Sequence, residues 1–289
     1  MKTFSISLTD LFPELGRLGS GATLTAYLRT PSPELDAEAR YPALLIFPGG
    51  GYDIVSDREA EPIALEFLAR GYQCFVLSYT TRRGRIGNPV SRESCYPLPL
   101  LEAGAAIAFL RAHADRCAVD PEKVAVMGFS AGAHLAGSLA TMWDAPELLH
   151  LFQAQLPARP DAVCLGYPVI DDRLCSACGT SFQNLFGEGT PELCKRFSLQ
   201  NAVREDMPPV FLWHTAEDQC VPVQNSLLFA QALAEKHVPF SLHIFPHGRH
   251  GLALATALTA TAGQEDAFIR PDVAQWVPLC AEWLSGIFA

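Results

Sequence analysis

Short uninterrupted apolar runs recur along the chain, each bounded by turn-forming residues, and they predict strands that are buried on both faces. Most positions in the runs are leucine, β-branched or aromatic residues, which favour strands. The predicted strands are 43–47, 73–78, 124–127, 162–165, 210–213 and 241–245. Before residue 41, only 4–8 and 22–29 can supply antiparallel edge strands, and we expect one or two of them.

Amphipathic segments lie between the predicted strands. Segment 57–70 places Ile63 and Phe67 on one face, as a helix packed on a core requires. The same kind of pattern predicts helices at 100–114, 131–142, 224–236 and 273–287. Alternating strands and helices imply a mostly parallel sheet with helices on both faces. We therefore expect one α/β domain over 1–289, in which the weakly periodic segment 170–207 forms a cap-like insertion.

The most informative motif follows the predicted strand 124–127. There the chain reads Gly-Phe-Ser-Ala-Gly at 128–132 and continues into an alanine-rich helix. On a sharp strand-to-helix turn, a side chain at either glycine would collide with the neighbouring strand and helix, and the serine hydroxyl projects out of the sheet. Ser130 is the predicted nucleophile, placed at a helix N-terminus that stabilises developing negative charge.

A serine hydroxyl needs a base to accept its proton, so the motif directs attention to histidines. In this class of fold, ligands gather at the carboxyl ends of the strands, and the base should follow a late strand. His247 and His250 both follow strand 241–245. We favour His250, because the glycine after it lets the loop fold the ring back over Ser130, and interpret His247 as a surface or loop-bracing residue.

The base in turn needs a carboxylate to orient it. After strand 210–213, Asp218 is favoured over Glu217 because it lies further from the strand end and reaches the serine more easily. Asp171 and Asp172 are the alternatives if the acid follows an earlier strand.

A glycine-rich segment after the predicted strand 43–47 suggests an oxyanion site. The sequence there is Pro-Gly-Gly-Gly-Tyr at 48–52, and consecutive glycines expose unhindered N–H groups. The N–H of Ala131, next to the nucleophile, is a second source of donors. From position alone, the predicted substrate-binding residues are Tyr52, Phe129, Phe182 and Phe186.

Composition narrows the choice of partners. The 289 residues include 49% apolar and 18% charged residues, which excludes a disordered chain, and the net charge of −10 disfavours nucleic acid and anionic membranes. No apolar run has the form of a signal peptide or a membrane span. Nine cysteines cannot all pair, and Cys74 and Cys164 lie in apolar runs, so we expect reduced core thiols and a cytoplasmic location.

A cysteine pair and a histidine could each carry chemistry, but a purely structural role is favoured for both. Cys175 and Cys178 have the spacing of half a zinc site or a redox pair, with Cys194 nearby, but no second pair or adjacent histidine completes the set. We favour ordinary thiols and expect no metal and no cofactor. His134 lies one helical turn after Ser130 and is interpreted as a buried structural histidine.

Together these motifs resemble the α/β-hydrolase superfamily, specifically its esterase/lipase branch with a glycine-rich oxyanion loop. The resemblance extends from about residue 41 to the C-terminus. The sequences at 128–136, 48–52 and 250–252 look like those of small acetyl-esterase-like or xylan-esterase-like members. The resemblance implies Ser130 as nucleophile, His250 as base, Asp218 as its orienting acid, and Gly50, Gly51 and Ala131 as oxyanion donors.

The expected activity is that of a serine hydrolase that cleaves small carboxylic esters through an acyl-enzyme, with acetylated carbohydrates as one candidate substrate. A peptidase or amidase with the same residues, a non-catalytic binding module, and a zinc or redox protein are the alternatives. A small-molecule ester is the expected partner, and a homodimer is left open. Pro48 departs from the resemblance, because many relatives begin this loop with histidine, so another contact must steady the loop.

Overall fold

The structure, a computed structural model, describes residues 1–84, 92–151, 158–174 and 180–289. Its eight strands form one sheet in the order β1-β2-β4-β3-β5-β6-β7-β8. The strands are β1 Lys2–Ser7, β2 Thr23–Leu28, β3 Tyr41–Phe47, β4 Gln73–Ser78, β5 Val119–Phe129, β6 Ala162–Gly166, β7 Val210–Thr215 and β8 Phe240–Phe245. β2 pairs antiparallel with β1 and β4, whereas all other pairs are parallel. The two N-terminal segments therefore supply two antiparallel strands, and the predicted α/β fold is confirmed.

Helices connect the strands on both faces of the sheet. Within the described residues the α-helices are α1 Leu8–Leu11, α2 Pro13–Arg17, α3 Glu61–Leu68, α4 Leu98–Ala112, α5 Ala114–Cys117, α6 Ala131–Thr141, α7 Pro146–Leu151, α8 Ser181–Phe186, α9 Pro191–Phe197, α10 Gln224–Glu235, α11 Glu265–Phe268 and α12 Trp276–Ile287. The five predicted helices correspond to α3, α4, α6, α10 and α12. In two of them the predicted first turn is a separate 3₁₀ turn, at Asp57–Glu59 and at Val273–Gln275.

Two hydrophobic cores lie on opposite faces of the sheet, and the strands contribute to both by alternation. In β5, Val124 and Val126 face one core, while Ala125 and Met127 face the other. All four side chains are buried, which explains why the strand appears as a continuous apolar run in the sequence.

The segment 170–207 contains α8 and α9 and contacts loops at the carboxyl ends of the strands. The side-chain amide of Asn184 donates to the carbonyl of Gly51 at 2.9 Å. The carbonyl of Leu185 accepts from the N–H groups of Cys95 and Tyr96 at 3.0 and 2.8 Å. Helix α8 is therefore fixed directly against the glycine-rich loop.

The cysteines agree only in part with expectation. Cys74 and Cys164 are buried and carry free thiols, as predicted. Cys220, however, is disulfide-bonded, so the expectation of reduced thiols was wrong at this position.

In the part of the chain that the structure describes, no helix is both long enough and apolar enough to cross a membrane.

Candidate active site

Ser130 occupies a strained turn between β5 and α6. Its φ and ψ are 54° and −120°, a conformation that residues other than glycine seldom adopt. A Cβ on Gly128 would lie 2.2 Å from the carbonyl oxygen of Gly132, and one on Gly132 would lie 2.0 Å from that of Phe47. Both glycines are therefore required for the close contact of strand and helix that holds the serine in place.

Ser130, His250 and Asp218 form a continuous row of hydrogen bonds, although they lie far apart in sequence. His250 Nε2 is 2.9 Å from Ser130 Oγ, and His250 Nδ1 is 2.6 Å from Asp218 Oδ2. A carboxylate can only accept, so the proton lies on Nδ1 and Nε2 is left to accept from the serine hydroxyl. This is the arrangement in which a histidine can remove a serine proton.

The carboxylate of Asp218 is held by four groups. Oδ1 accepts from the N–H groups of Cys220 and Val221, each at 2.9 Å. Oδ2 lies 3.3 Å from Nε2 of the buried His214, in addition to its bond with His250. Burial raises the pKa of Asp218, but the hydrogen bonds from His214 and His250 outweigh burial and hold this pKa well below its ordinary value. Asp218 is therefore ionised and oriented toward His250.

The alternative acids and the alternative base lie elsewhere. Glu217 and His247 bond to each other, with 2.8 Å between Oε1 and Nδ1, and their side chains are 57% and 69% exposed. Asp171 is buried and accepts from Arg173 Nε at 2.9 Å. The side chain of Asp172 is outside the described part of the structure.

The glycine-rich loop after β3 lies beside Ser130. A Cβ on Gly49 would come within 3.0 Å of the Cβ of Ser130. Gly50 and Gly51 have φ values of +120° and +66°, so the loop follows a path that favours glycine. Among the described residues, the N–H groups of Gly50, Gly51 and Ala131 donate to no acceptor. These N–H groups are consequently available to a substrate oxygen.

Two buried side chains steady this loop, which begins with Pro48. Tyr79 Oη donates to the carbonyl of Pro48 at 2.6 Å. Glu59 Oε2 accepts from the N–H of Gly49 at 2.8 Å. Sequence reasoning did not identify either residue, because Glu59 lies in a predicted helix and Tyr79 directly follows a predicted strand without a motif.

Tyr167 is a third residue that sequence reasoning missed. Its hydroxyl donates to Glu59 Oε1 at 2.7 Å and accepts from the N–H of Ala253 at 3.1 Å. Its ring meets the ring of His250 edge to face, with centroids 4.9 Å apart. Burial and the neighbouring Glu59 carboxylate hold the pKa of Tyr167 well above its ordinary value. Its position could have identified Tyr167 from the sequence. Tyr167 directly follows β6, and the other site residues follow strands β3, β5, β7 and β8.

The four predicted substrate-binding residues form part of the packed interior. Tyr52, Phe129, Phe182 and Phe186 are 1%, 0%, 7% and 8% exposed. Phe129 packs against Tyr167 and Trp276 in the core beneath the site, so the expectation that it contacts substrate was wrong. Tyr52 and Phe182 pack on His134, and Phe186 packs on Phe182, so all three support the site from behind.

An open cavity of about 960 Å³ adjoins the histidine. Besides Asp218 and His250, its lining includes the polar or charged residues Glu217, Gln219, Gln224, Arg249 and Arg270. The cavity therefore offers hydrogen-bond donors and acceptors beside the base.

His134 is buried, and both of its ring nitrogens are hydrogen-bonded. Nε2 donates to the carbonyl of Phe197 at 2.8 Å, and Nδ1 accepts from Tyr52 Oη at 2.8 Å. Burial lowers the pKa of His134 to about 4, so this histidine is neutral near neutral pH. The structure gives it a supporting position beneath the glycine-rich loop.

The depressed pKa of His134 predicts a specific acid sensitivity. The folded state binds fewer protons than the unfolded state between about pH 4 and 6.5, so His134 stabilises the fold above this window and the contribution is lost as the pH falls through it. The expected loss is roughly 3 kcal/mol across the window. Urea unfolding of the wild type and of His134→Gln at pH 7 and pH 4.5 should show a distinctly smaller decrease in the variant. Equal decreases in the free energy of unfolding of the two proteins would contradict a depressed pKa for His134.

The structure leaves the zinc or redox hypothesis untested, because Cys175 and Cys178 lie outside the described residues. Within the described ranges, no three His, Cys, Asp or Glu side chains are grouped in a way that could hold a metal ion.

The fold and the site together define a class of protein. An eight-stranded, mostly parallel sheet presents a serine on a strained strand-to-helix turn, and an aspartate and a histidine follow its last two strands. These features are those of an α/β-hydrolase. The sequence profile of the BD-FAE family matches residues 32–233, and the chain belongs to this family.

Several relatives have described activities. The solved acetyl ester-xyloside bifunctional hydrolase from Caldicellulosiruptor lactoaceticus superposes with a TM-score of 0.80 and 35% identity, covering 99% of this chain and 96% of that chain. Endo-1,4-beta-xylanase B of Butyrivibrio fibrisolvens is 39% identical over 232 residues, and acetylxylan esterase of Xylanibacter ruminicola is 30% identical over 220 residues. These matches cover 80% and 74% of this chain, but the aligned parts are only 35% and 42% of the two relatives.

Proposed function

We propose that this chain is a serine esterase that hydrolyses small carboxylic esters, with acetyl esters of carbohydrates as its substrates. The observation that carries the proposal is the row Ser130–His250–Asp218 beside three N–H groups that have no acceptor among the described residues. A nucleophile, a base with its orienting acid, and oxyanion donors are the groups that acyl transfer requires.

The reaction follows from this arrangement. Ser130 Oγ attacks the carbonyl carbon while its proton moves to His250 Nε2, and the carbonyl oxygen becomes an oxyanion. The N–H of Ala131 and those of Gly50 and Gly51 donate to that oxyanion. His250 then gives its proton to the leaving alcohol, and an acyl-enzyme remains on Ser130. A water molecule, deprotonated by His250, attacks the acyl carbon and releases the acid.

Two observations support a carbohydrate ester as substrate. Relatives named for activity on acetylated xylan or acetyl esters share 30% to 35% identity with this chain. The cavity beside His250 is lined by amide and guanidinium groups such as Gln219, Gln224 and Arg270, which suit an alcohol rich in hydroxyl groups. We assign segment 170–207 as a cap on the side of the glycine-rich loop, because Asn184 in α8 donates to the carbonyl of Gly51.

The substrate class can be tested by product release. With acetylated xylo-oligosaccharides, the wild-type protein should release acetate, which can be followed by NMR, and Ser130→Ala should remain at background. The matched anilide, p-nitroacetanilide, should be cleaved far more slowly than p-nitrophenyl acetate. No acetate from the oligosaccharides would refute the carbohydrate assignment, and comparable rates on ester and anilide would favour the peptidase or amidase alternative.

A cytoplasmic location and a homodimer stay predictions. The buried thiols Cys74 and Cys164 support a reducing compartment, whereas the disulfide at Cys220 opposes it. Light scattering of the purified chain would give its oligomeric state.

A further inference from the structure

The buried carboxylate of Glu59 has no role in the proton transfers, yet it contacts both halves of the site. Glu59 is 4% exposed, and it lies in the 3₁₀ turn Asp57–Glu59, which follows the glycine-rich loop. One carboxylate oxygen accepts from the N–H of Gly49 at 2.8 Å, and the other accepts from Tyr167 Oη at 2.7 Å. Burial of a carboxylate is costly unless its oxygens accept hydrogen bonds, so the bonds from Gly49 and Tyr167 are what make this buried position of Glu59 tenable.

The Gly49 contact fixes the path of the glycine-rich loop. The carbonyl of Gly49 also accepts from the N–H of Ser56 at 3.0 Å, so both backbone groups of Gly49 are bonded. A Cβ on Gly49 would lie 2.7 Å from Glu59 Oε2, which shows how closely the carboxylate approaches the backbone. The two residues that follow Gly49 carry the proposed oxyanion donors, so a displacement of Glu59 would move them.

The Tyr167 contact extends to the histidine. Tyr167 Oη is bonded to the N–H of Ala253, three residues beyond His250, and the Tyr167 ring packs on the His250 ring. Glu59 therefore contacts the oxyanion loop directly and the histidine loop through one tyrosine.

Arg58, the preceding residue, contacts the same histidine loop. Its Nη1 donates to the carbonyl of Gly251 at 3.2 Å, and its Nη2 donates to Thr261 Oγ1 at 2.5 Å. The guanidinium lies 4.0 Å from the ring centroid of Phe268, which orients it further. The acidic Glu59 thus bonds to the glycine-rich loop, and the basic Arg58 next to it bonds to the loop that carries His250.

We infer that Glu59, assisted by Arg58, is a positioning residue that fixes the oxyanion donors relative to the His250 base. The inference rests on the proposed esterase function and assigns Glu59 no contact with substrate. Glu59 acts through its bonds to Gly49 and Tyr167. Its loss should therefore weaken stabilisation of the transition state more than it weakens binding of the substrate. Loss of an oxyanion donor costs about 10²–10³ in kcat, and a 1 Å misplacement costs about 10²-fold.

The test compares Glu59→Ala, Glu59→Gln and a matched control with p-nitrophenyl acetate. Glu59→Ala should lower kcat by about 10²-fold while KM changes by less than about threefold, because the oxyanion forms only after binding. Glu59→Gln keeps the shape and one acceptor, and it should recover part of the loss. Glu61→Gln is the control. Glu61 begins the next helix, α3, and accepts from Tyr27 Oη at 3.1 Å, and within the described residues it bonds to neither loop of the site. It should retain wild-type kcat.

A second readout separates positioning from general destabilisation. A small alkyl trifluoromethyl ketone forms a hemiketal with Ser130 whose oxyanion occupies the proposed hole, and its inhibition constant should rise in parallel with the loss of kcat. Wild-type kcat and wild-type inhibition in a folded Glu59→Ala variant would overturn the inference. Equal losses in Glu61→Gln would overturn it as well. If the wild type itself were inactive, or Ser130→Ala fully active, the proposed function would fail instead.

Discussion

Replacement of Ser130 by alanine is expected to lower kcat for p-nitrophenyl acetate by about 10⁶-fold. The hydroxyl is the only group placed both within 2.9 Å of His250 Nε2 and beside the free N–H groups of the glycine-rich loop, among the residues that the structure describes. Without it no acyl-enzyme can form, and only the oxyanion donors and substrate binding remain to accelerate hydrolysis. Initial rates at several substrate concentrations measure the effect.

A serine within α6, the helix that begins directly after Ser130, provides the control. Ser138 is buried, and its hydroxyl has no hydrogen-bond partner within the described structure. Ser138→Ala is the same chemical change away from the site, and it should retain wild-type kcat with equal or greater stability. Comparable activity of Ser130→Ala and the wild type would refute the assignment of the nucleophile.

Replacement of Asp218 by asparagine is expected to lower kcat by about 10⁴-fold. The structure gives the reason, because Asp218 Oδ2 accepts from His250 Nδ1 at 2.6 Å. An asparagine amide can donate to Nδ1 instead, which moves the histidine proton to Nε2 and leaves no lone pair for the serine proton. The fold should survive, since an asparagine oxygen can still accept from the N–H groups of Cys220 and Val221.

The neighbouring carboxylate is the control for Asp218. Glu217 is exposed and bonded to His247, so Glu217→Gln should change kcat by less than about threefold. Were Glu217→Gln to reduce kcat as far as Asp218→Asn, the acid would have been assigned to the wrong residue.

The elements that sequence analysis predicted well share a local signal. Strands buried on both faces give continuous apolar runs, and the serine turn needs glycine at 128 and 132 for reasons that involve only its own backbone and the adjacent strand. His250 and Asp218 could be located because site residues of such sheets follow the carboxyl ends of strands.

The residues that were missed depend on contacts between distant parts of the chain. Glu59 meets Tyr167 from 108 positions away, and His214 is recognisable only by its contact with Asp218 inside the fold. No periodicity of the sequence reports such pairs. Phe129 is a different case, since Ala125, Met127 and Phe129 lie at alternate positions of one strand and pack into the same buried core. This alternation is visible in the sequence, and it could have shown that Phe129 belongs to the core rather than to the substrate-binding residues.

Covalent labelling would show directly whether Ser130 is the nucleophile. The protein is incubated with a fluorophosphonate, which phosphonylates an activated serine and displaces fluoride, and intact mass and peptide mass spectrometry locate the adduct. We predict one adduct per chain, on Ser130, with a loss of esterase activity that parallels labelling and with no adduct in Ser130→Ala. Full loss of activity with the label on another residue, or esterase activity that persists after Ser130 is fully labelled, would contradict the assignment of Ser130 as the nucleophile.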